Sequence, residues 1–383
     1  MSRKVAFSCQ MHYVWPPATS SYIAPKTSLN ETFPETRVKH EPVERRPTMR
    51  EVAAVAGVSL STVSRALNDD PKVAPELAKK VRGAVTMLGY RRDVTATTLR
   101  RADRLSASIG LVFDDVANPF HATVHRGIED VSRAHGVLAF AGSSDEDAGR
   151  ERDLVQAFLS RRVDGLVIVP AGTDHSYLVR DRDAGVALVF VDRPPGYIDA
   201  DVVLSDHAGG AREATAHLLA AGHRRIAYLG DRRRIHSAVE RLRGHSEALA
   251  AAGVPYDPAL VRMELEDSAM AHRAAEELLS GENAPTAVFA AQNLITIGAV
   301  GALRARGLQH TVALVGFDDL TLADVVDPGL TVVAQDAGGI GRAAAELLFE
   351  RLNGGAAQPT RTVVVPTTLI ARGSGELTPE RSR

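Results

Sequence analysis

Between Thr48 and Asn68 the chain reads TMREVAAVAGVSLSTVSRALN, and this stretch limits the fold more than any other. Apolar residues at Val52, Ala53 and Ala56 have helical spacing, and so do Val63 and Leu67 after the break. Between the two runs lies Ala56-Gly57-Val58-Ser59. Gly57 can adopt the left-handed conformation that closes a helix, and Ser59 can cap the next by accepting from an amide near Thr62. Two short helices joined by a tight glycine turn are the parts of a helix-turn-helix. The second helix then shows Leu60, Ser61, Thr62 and Arg65 to solvent, all able to meet a base edge or a phosphate. The plainer alternative is a surface helical pair with no partner.

Charge bears on that choice. The whole chain carries 45 Lys and Arg against 47 Asp and Glu, a net of -2. From Arg45 to Arg104, however, 13 basic residues meet 6 acidic ones, a surplus of 7 that leaves -9 on the remainder. A basic block around a helical pair, attached to an acidic body, is the footprint of a phosphate-binding head. At 383 residues the chain is too long for one ordinary core, so two or three domains are expected. Cys9 is the only cysteine, which excludes an intramolecular disulfide. No apolar run approaches the roughly 20 residues that span a bilayer. The opening MSRKVAFSCQMHYVWPP lacks the sustained apolar core of a signal peptide, so a cytoplasmic, nucleoid-associated location is expected.

Residues 1–46 hold several prolines and no sustained period, and are expected to form a flexible tail in which Tyr13 and Trp15 have no evident dock. After the helical pair, Pro75 suits the first turn of a third helix and Gly89 its end, with Val81, Val85 and Leu88 on one apolar face. A three-helix head over 47–91 follows. Residues 92–106 are polar and form a linker, where Asp93 can cap a brief helix that needs a partner to be stable. From 107 to 373 the rhythm is apolar strand, turn, amphipathic helix. Strands are expected at Ile109–Phe113, Val137–Ala141, Gly165–Val169, Ala187–Val191, Val202–Leu204, Ile226–Leu229, Ala287–Ala290, Val312–Val315 and Thr331–Val333, with helices between most of them. That alternation means parallel sheets covered on both faces, and its length calls for two lobes with a cleft. Residues 374–383 are expected to be a tail.

The segments EVAAVAGVSLSTVSRALN, LGYRRDVTATTLR, IGLVFDDVANPF, RRVDGLVIV, VDRP, GHRRIAYLGD, RLRGHSEAL, PTAVFAAQN, LVGFDD and LTVVAQD resemble those of the lactose-repressor type (LacI/GalR) of bacterial transcription regulators. The likeness runs from Thr48 to about Thr368. It implies a homodimer, or a tetramer, that binds double-stranded operator DNA, with a two-lobed body like a periplasmic sugar-binding protein. By position it implies that Leu60, Ser61 and Arg65 read bases. Ser59, Thr62 and Ser64, with Thr48 at the head's entry, would touch phosphates. Ala96 and Leu99 fall on the hinge, where the family places a leucine wedge in the minor groove. In the cleft it implies effector contacts from Asp114, Phe120, Asp192, Arg241, Gln292, Asn293, Asp318 and Gln335. Carboxylates, a guanidinium and amides facing one another suit a polyhydroxylated ligand, and Phe120 could lie against a sugar's apolar face.

Two departures stand out. Arg92-Asp93-Val94 replaces the usual Pro-Asn-Ala, bringing a carboxylate near phosphates and a weaker hinge. Gln292-Asn293 replaces a frequent Asn-Asp, which raises the expectation of an acidic or phosphorylated effector. Two rival classes remain. A transport-type solute-binding protein would share the cleft. An enzyme would need more than Gly339-Ile340-Gly341-Arg342-Ala343-Ala344, a GxGxxA string with no acidic residue about 20 positions on. His121 and His125 stand four apart, but without a HExxH pattern they read as surface histidines. No catalysis, metal or cofactor is expected.

Overall fold

The computed structural model describes residues 47–91, 106–355 and 358–379. The expected tail at 1–46 lies outside the described residues, as do the hinge positions Asp93, Ala96 and Leu99. The described residues form two compact units, one with the three N-terminal helices and one with two sheets.

The head contains α1 (Met49–Ala56), α2 (Leu60–Ala66) and α3 (Pro75–Leu88). Thr48 and Glu51 close a reciprocal box at the start of α1: the Glu51 amide donates to Thr48 Oγ1 at 3.4 Å, and the Thr48 amide to Glu51 Oε2 at 2.6 Å. Gly57, at φ 66°, ends the helix in the left-handed region. Ser59 Oγ accepts from the Thr62 amide at 3.1 Å and starts α2. Val52, Val63 and Val81 are fully buried where the three helices meet, backed by Ala53, Ala56, Ala66 and Ala84. On α3 the core face is Val81 with Ala84, while Val85 and Leu88 are only partly covered.

In chain order the strands of the body are β1 (Ser108–Phe113), β2 (Leu138–Ser143), β3 (Gly165–Ile168), β4 (Ala187–Val191), β5 (Asp201–Ser205), β6 (Ile226–Leu229), β7 (Val261–Arg262), β8 (Ala287–Ala290), β9 (Ala313–Phe317), β10 (Thr331–Gln335), β11 (Thr362–Val365) and β12 (Thr367–Ile370). The helices are α4 (Pro119–Ala134), α5 (Ala148–Ser160), α6 (Val179–Asp183), α7 (His207–Ala220), α8 (His236–Ala251), α9 (Ser268–Leu279), α10 (Asn293–Ala305) and α11 (Ala337–Leu352). One sheet has the order β11-β5-β4-β3-β1-β2 and the other β12-β10-β9-β8-β6-β7. All paired neighbours are parallel except β10 and β12. Set aside the outermost strand, and each lobe reads second, first, third, fourth, fifth. This doubly wound order presents ligands to the carboxyl ends of the strands.

The chain passes between lobes after β5, after β10 and between β11 and β12. At the first two passages an aspartate caps the outgoing helix. Asp206 Oδ1 accepts from Gly209 N at 2.8 Å, and Asp336 Oδ1 from Gly339 N at 2.7 Å. Each outgoing helix lies against a neighbour at backbone distance. A Cβ on Gly341 of α11 would sit 2.2 Å from the Val124 oxygen of α4, and one on Gly244 of α8 would sit 2.1 Å from the Ala208 oxygen of α7. The GxGxxA string is therefore a helix start and a helix crossing.

Three strands and one boundary differ from expectation. β7, β11 and β12 are added edge strands, too short or too interrupted by Pro366 to stand out as apolar runs. The segment expected as a C-terminal tail begins inside the second lobe. Ser374 is buried and donates from Oγ to the Leu314 oxygen at 2.6 Å, while the Leu377 oxygen meets His223 Nε2 at 2.8 Å.

Gly341→Ala should lower the stability of the body by about 1–3 kcal/mol through overpacking. Gly83→Ala, in α3 with open space around its Cβ, should stabilise the head by about 0.5–1 kcal/mol. Urea unfolding measures both; a neutral Gly341→Ala would show that the crossing can relax.

Candidate functional site

On the head, α2 carries the expected reading edge. Ser61 and Arg65 are exposed and Leu60 is 43% exposed, whereas Val63 and Ala66 face the core. Ser59 Oγ lies 2.8 Å from both Ser61 Oγ and Thr62 Oγ1, which clusters three hydroxyls at the start of the helix. Thr62 and Ser64 are partly covered. Thr48 differs from the rest, since its side chain is engaged in the cap with Glu51.

The body brings all eight cleft residues together. Asp114, Phe120 and Asp192 come from the first lobe, and Arg241, Gln292, Asn293, Asp318 and Gln335 from the second, lining one cleft. Most stand just past a strand: Asp114 after β1, Asp192 after β4, Gln292 after β8, Asp318 after β9, with Gln335 ending β10. Asp192 and Asp318 occupy equivalent positions in the two lobes. Both have left-handed backbones, φ 68° and 73°, and their amides donate at 2.9 Å to Val203 and Val333 respectively. A non-glycine residue there costs of order 1–3 kcal/mol, and such strain gathers at functional sites.

The cleft also holds Asn118, His121, Arg193, Asp231 and Ser237, none of them on the list of expected effector contacts. His121 is the correction: it is buried and contacts the Asp114 carboxylate instead of lying on the surface. Its signal was present in the sequence, seven residues after Asp114 and inside a helix start, but helical spacing alone pairs it with His125. Arg193 does pair with Asp192, at 3.3 Å, yet its main partner is Glu146, held through two nitrogens at 2.6 and 3.0 Å. Among the described residues no cluster of His, Cys, Asp and Glu could hold a metal ion.

Hydrogen bonds join the lobes across the cleft. Asn293 Nδ2 donates to Asn118 Oδ1 at 2.8 Å, Ser237 Oγ donates to Asp192 Oδ2 at 3.3 Å, and Arg234 Nη2 donates to the Glu146 oxygen at 3.1 Å. Arg241 donates to the Ala291 oxygen at 2.8 Å, and its guanidinium lies 4.0 Å over the Phe317 ring. Gln335 donates to Asp318 at 2.5 Å, while its own Oε1 is buried with no partner. The cleft holds about 40 Å³ of free space. One water needs roughly 10–15 Å³ on that measure, so a sugar ring enters only if the lobes part.

Charges inside are strongly matched. Burial pushes the Asp192 carboxyl up, but the hydrogen bond and charge of His207, then Arg193 and Arg241, hold it far below the usual carboxylate range. Burial likewise opposes ionisation at Asp114, where His121 and then Arg193 prevail and hold it low. For His121 burial works downward, and the Asp114 carboxylate outweighs it to raise the imidazole above 6.5.

Two doubly wound lobes, crossed three times by the chain and lined with converging polar groups, define a periplasmic-binding-protein-like ligand-binding body; the head is a helix-turn-helix. Comparison with known proteins agrees at both ends. Residues 48–93 match the family described as bacterial regulatory proteins, lacI family, and residues 215–375 match the periplasmic binding protein-like domain. The chain is 37% identical over 348 residues to the HTH-type transcriptional regulator CelR of Thermobifida fusca, covering 86% of this chain and 99% of that protein. It is 33% identical over 336 residues to the regulator GalS of Salmonella typhimurium, covering 85% and 96%. Among solved structures, the lac repressor dimer bound to operator and the anti-inducer ONPF superposes with a TM-score of 0.75 at 25% identity, over 87% of this chain and 100% of that one. The CelR–cellobiose complex gives 0.63 at 33% identity, over 86% and 100%. The chain belongs to the lacI family of bacterial regulatory proteins, and it is a transcriptional regulator. No helix among the described residues is long and apolar enough to cross a membrane.

The Asp114–His121 contact carries a pH signature. With its folded value raised, His121 contributes stability that is full below the unfolded value of 6.5 and is lost as pH rises through the raised value. Asp114, held low, contributes above 3.8 and loses that contribution only as pH falls through its lowered value. The stability gap between the parent and His121→Gln should therefore shrink as pH rises from about 6 to about 9 in urea titrations. A gap that stays constant would mean the imidazole is not charged in the fold.

Proposed function

We propose that this protein is a repressor that binds a pseudo-palindromic operator as a homodimer and is released or retained there by a neutral sugar in the inter-lobe cleft. It acts in the cytoplasm and catalyses no reaction. The observation that carries the ligand class is the buried, unpaired Oε1 of Gln335 among four aspartates and two arginines lining one cleft. A sugar hydroxyl both donates and accepts, so it can satisfy that oxygen and a neighbouring carboxylate together.

The same charges oppose the acidic effector expected from Gln292-Asn293. Arg193 is already engaged by Glu146 and Asp192, and Arg241 by a backbone oxygen and a ring face. A phosphate would meet a wall with more carboxylates than free guanidinium donors. The amides have other duties: Gln292 Oε1 caps α10 at Ile295 N, 3.1 Å away, and Asn293 bridges to Asn118. That the solved CelR complex contains cellobiose supports a sugar as ligand class.

On the head, Leu60, Ser61 and Arg65 take the base-reading role, with Ser59, Thr62 and Ser64 toward phosphates. Thr48 contributes by fixing the start of α1. Ala96 and Leu99 would enter the minor groove from the hinge, and a dimer places two such heads one helical turn apart or a multiple of it.

Two measurements test the proposal. Calorimetry with glucose, cellobiose and glucose 6-phosphate should show binding of a neutral sugar that Arg241→Ala weakens at least about tenfold; binding of the phosphorylated sugar alone overturns the ligand class. Selection of DNA from a random pool should recover a two-fold-symmetric site whose affinity shifts with that sugar. Arg65→Ala should weaken that site by about tenfold or more, and equal affinity would remove α2 as the reader.

A further inference from the structure

A second cavity of the body lies away from the cleft. It lies at the opposite end of the second lobe, where Arg224 and Arg225 lead into β6 and the chain turns away from the end of α8. Its volume is about 430 Å³, within the range of small-molecule sites and about ten times that of the cleft. Leu249, Val254 and the half-exposed Tyr256 give it apolar walls. Arg224 gives its rim a charge: Nη1 donates to the Leu219 and His223 oxygens at 2.9 Å each, and among the described residues no carboxylate pairs with it. Arg225 donates through Nη2 to the Asn283 oxygen, reaches Asp257 only at 3.9 Å and leaves its Nε buried without a partner. Two guanidinium groups against one carboxylate leave the rim positive.

The floor is His245, 1% exposed. Its tautomer follows from its neighbour. Thr215 Oγ1 donates its one hydrogen to the Ala211 oxygen at 2.9 Å, so at its 2.9 Å contact with His245 it can only accept. In that arrangement Nδ1 of His245 carries the proton, and Nε2 is a hydrogen-bond acceptor. Burial pushes this imidazole down to about 4, so it stays neutral and keeps that lone pair near neutral pH.

We infer that this cavity is a second ligand site, built for a small carboxylate whose apolar or aromatic body carries a hydroxyl group. The carboxylate meets Arg224 and Arg225 at the rim. The body packs on Tyr256 and Leu249, and the hydroxyl donates to His245. Nothing in this assignment depends on what occupies the cleft.

Calorimetry on the full chain with 4-hydroxybenzoate tests it, with benzoate and 4-hydroxybenzyl alcohol as probes lacking the donor and the charge. Saturable binding of 4-hydroxybenzoate at one site per chain is expected. It should be weakened about tenfold or more by Arg224→Ala, by Tyr256→Ala and by loss of the carboxylate, since charge-assisted bonds and ring contacts each carry that much. Asp318→Asn, in the cleft, should leave it unchanged. Absence of saturable binding overturns the site, as does binding that is insensitive to Arg224→Ala and Tyr256→Ala. Equal affinity for benzoate removes His245 as the acceptor.

Discussion

The body depends on one buried carboxylate. Asp192, 6% exposed, receives Ser237 and contacts His207 of the second lobe while pairing with Arg193 of its own. An isolated ion there would cost several kcal/mol in desolvation, and removing one partner of such a pair typically costs about 3–5 kcal/mol. The carboxylate is therefore tolerated only while groups from both lobes surround it. The burial of Asp192 is thereby tied to the meeting of the two lobes.

Its counterpart on the other side is Asp318, and the likeness runs deeper than residue type. The two lobes share strand order, and the two aspartates share a left-handed backbone and the same bond from their amides. The passages between lobes repeat as well: Asp206 and Asp336 have nearly the same backbone angles, φ -74°, ψ 72° and φ -80°, ψ 72°. Two copies of one βα plan, facing each other at their strand ends, explain why six loops converge on one cleft.

Much of this was legible in the residues. The nine expected strands stand near their predicted places, because buried parallel strands are continuous apolar runs. The helix ends at Gly57, Ser59 and Gly89 could be read from residue type, since each answers a local backbone need; the cap at Thr48 shows only in the structure. The cleft residues were named only through likeness to a family; what the residues alone could say was where strand ends fall. What stayed hidden is set by contacts remote in sequence. The pairing of Glu146 with Arg193 spans 47 positions, and that of Asn118 with Asn293 spans 175. The burial of Ser374 depends on Leu314, 60 residues away. No local period encodes such meetings.

The closed cleft turns these contacts into an energetic question. A ligand acts only through its unequal affinity for the closed and parted arrangements, and reversing a 1:99 population takes about 5.5 kcal/mol. Hydrogen bonds to charged groups contribute about 1.5–3 kcal/mol each, so two to four of them suffice. Four aspartates and two arginines line the cleft, together with the unpaired oxygen of Gln335, so that number of bonds lies within its reach. Against this stand the few bonds that hold the lobes together. The crossings at Gly244 and Gly341 pack each outgoing helix against its neighbour at backbone distance, next to its capped passage. Helix α8 borders both spaces: Arg241 faces the cleft, and His245, one turn further on, lines the far cavity.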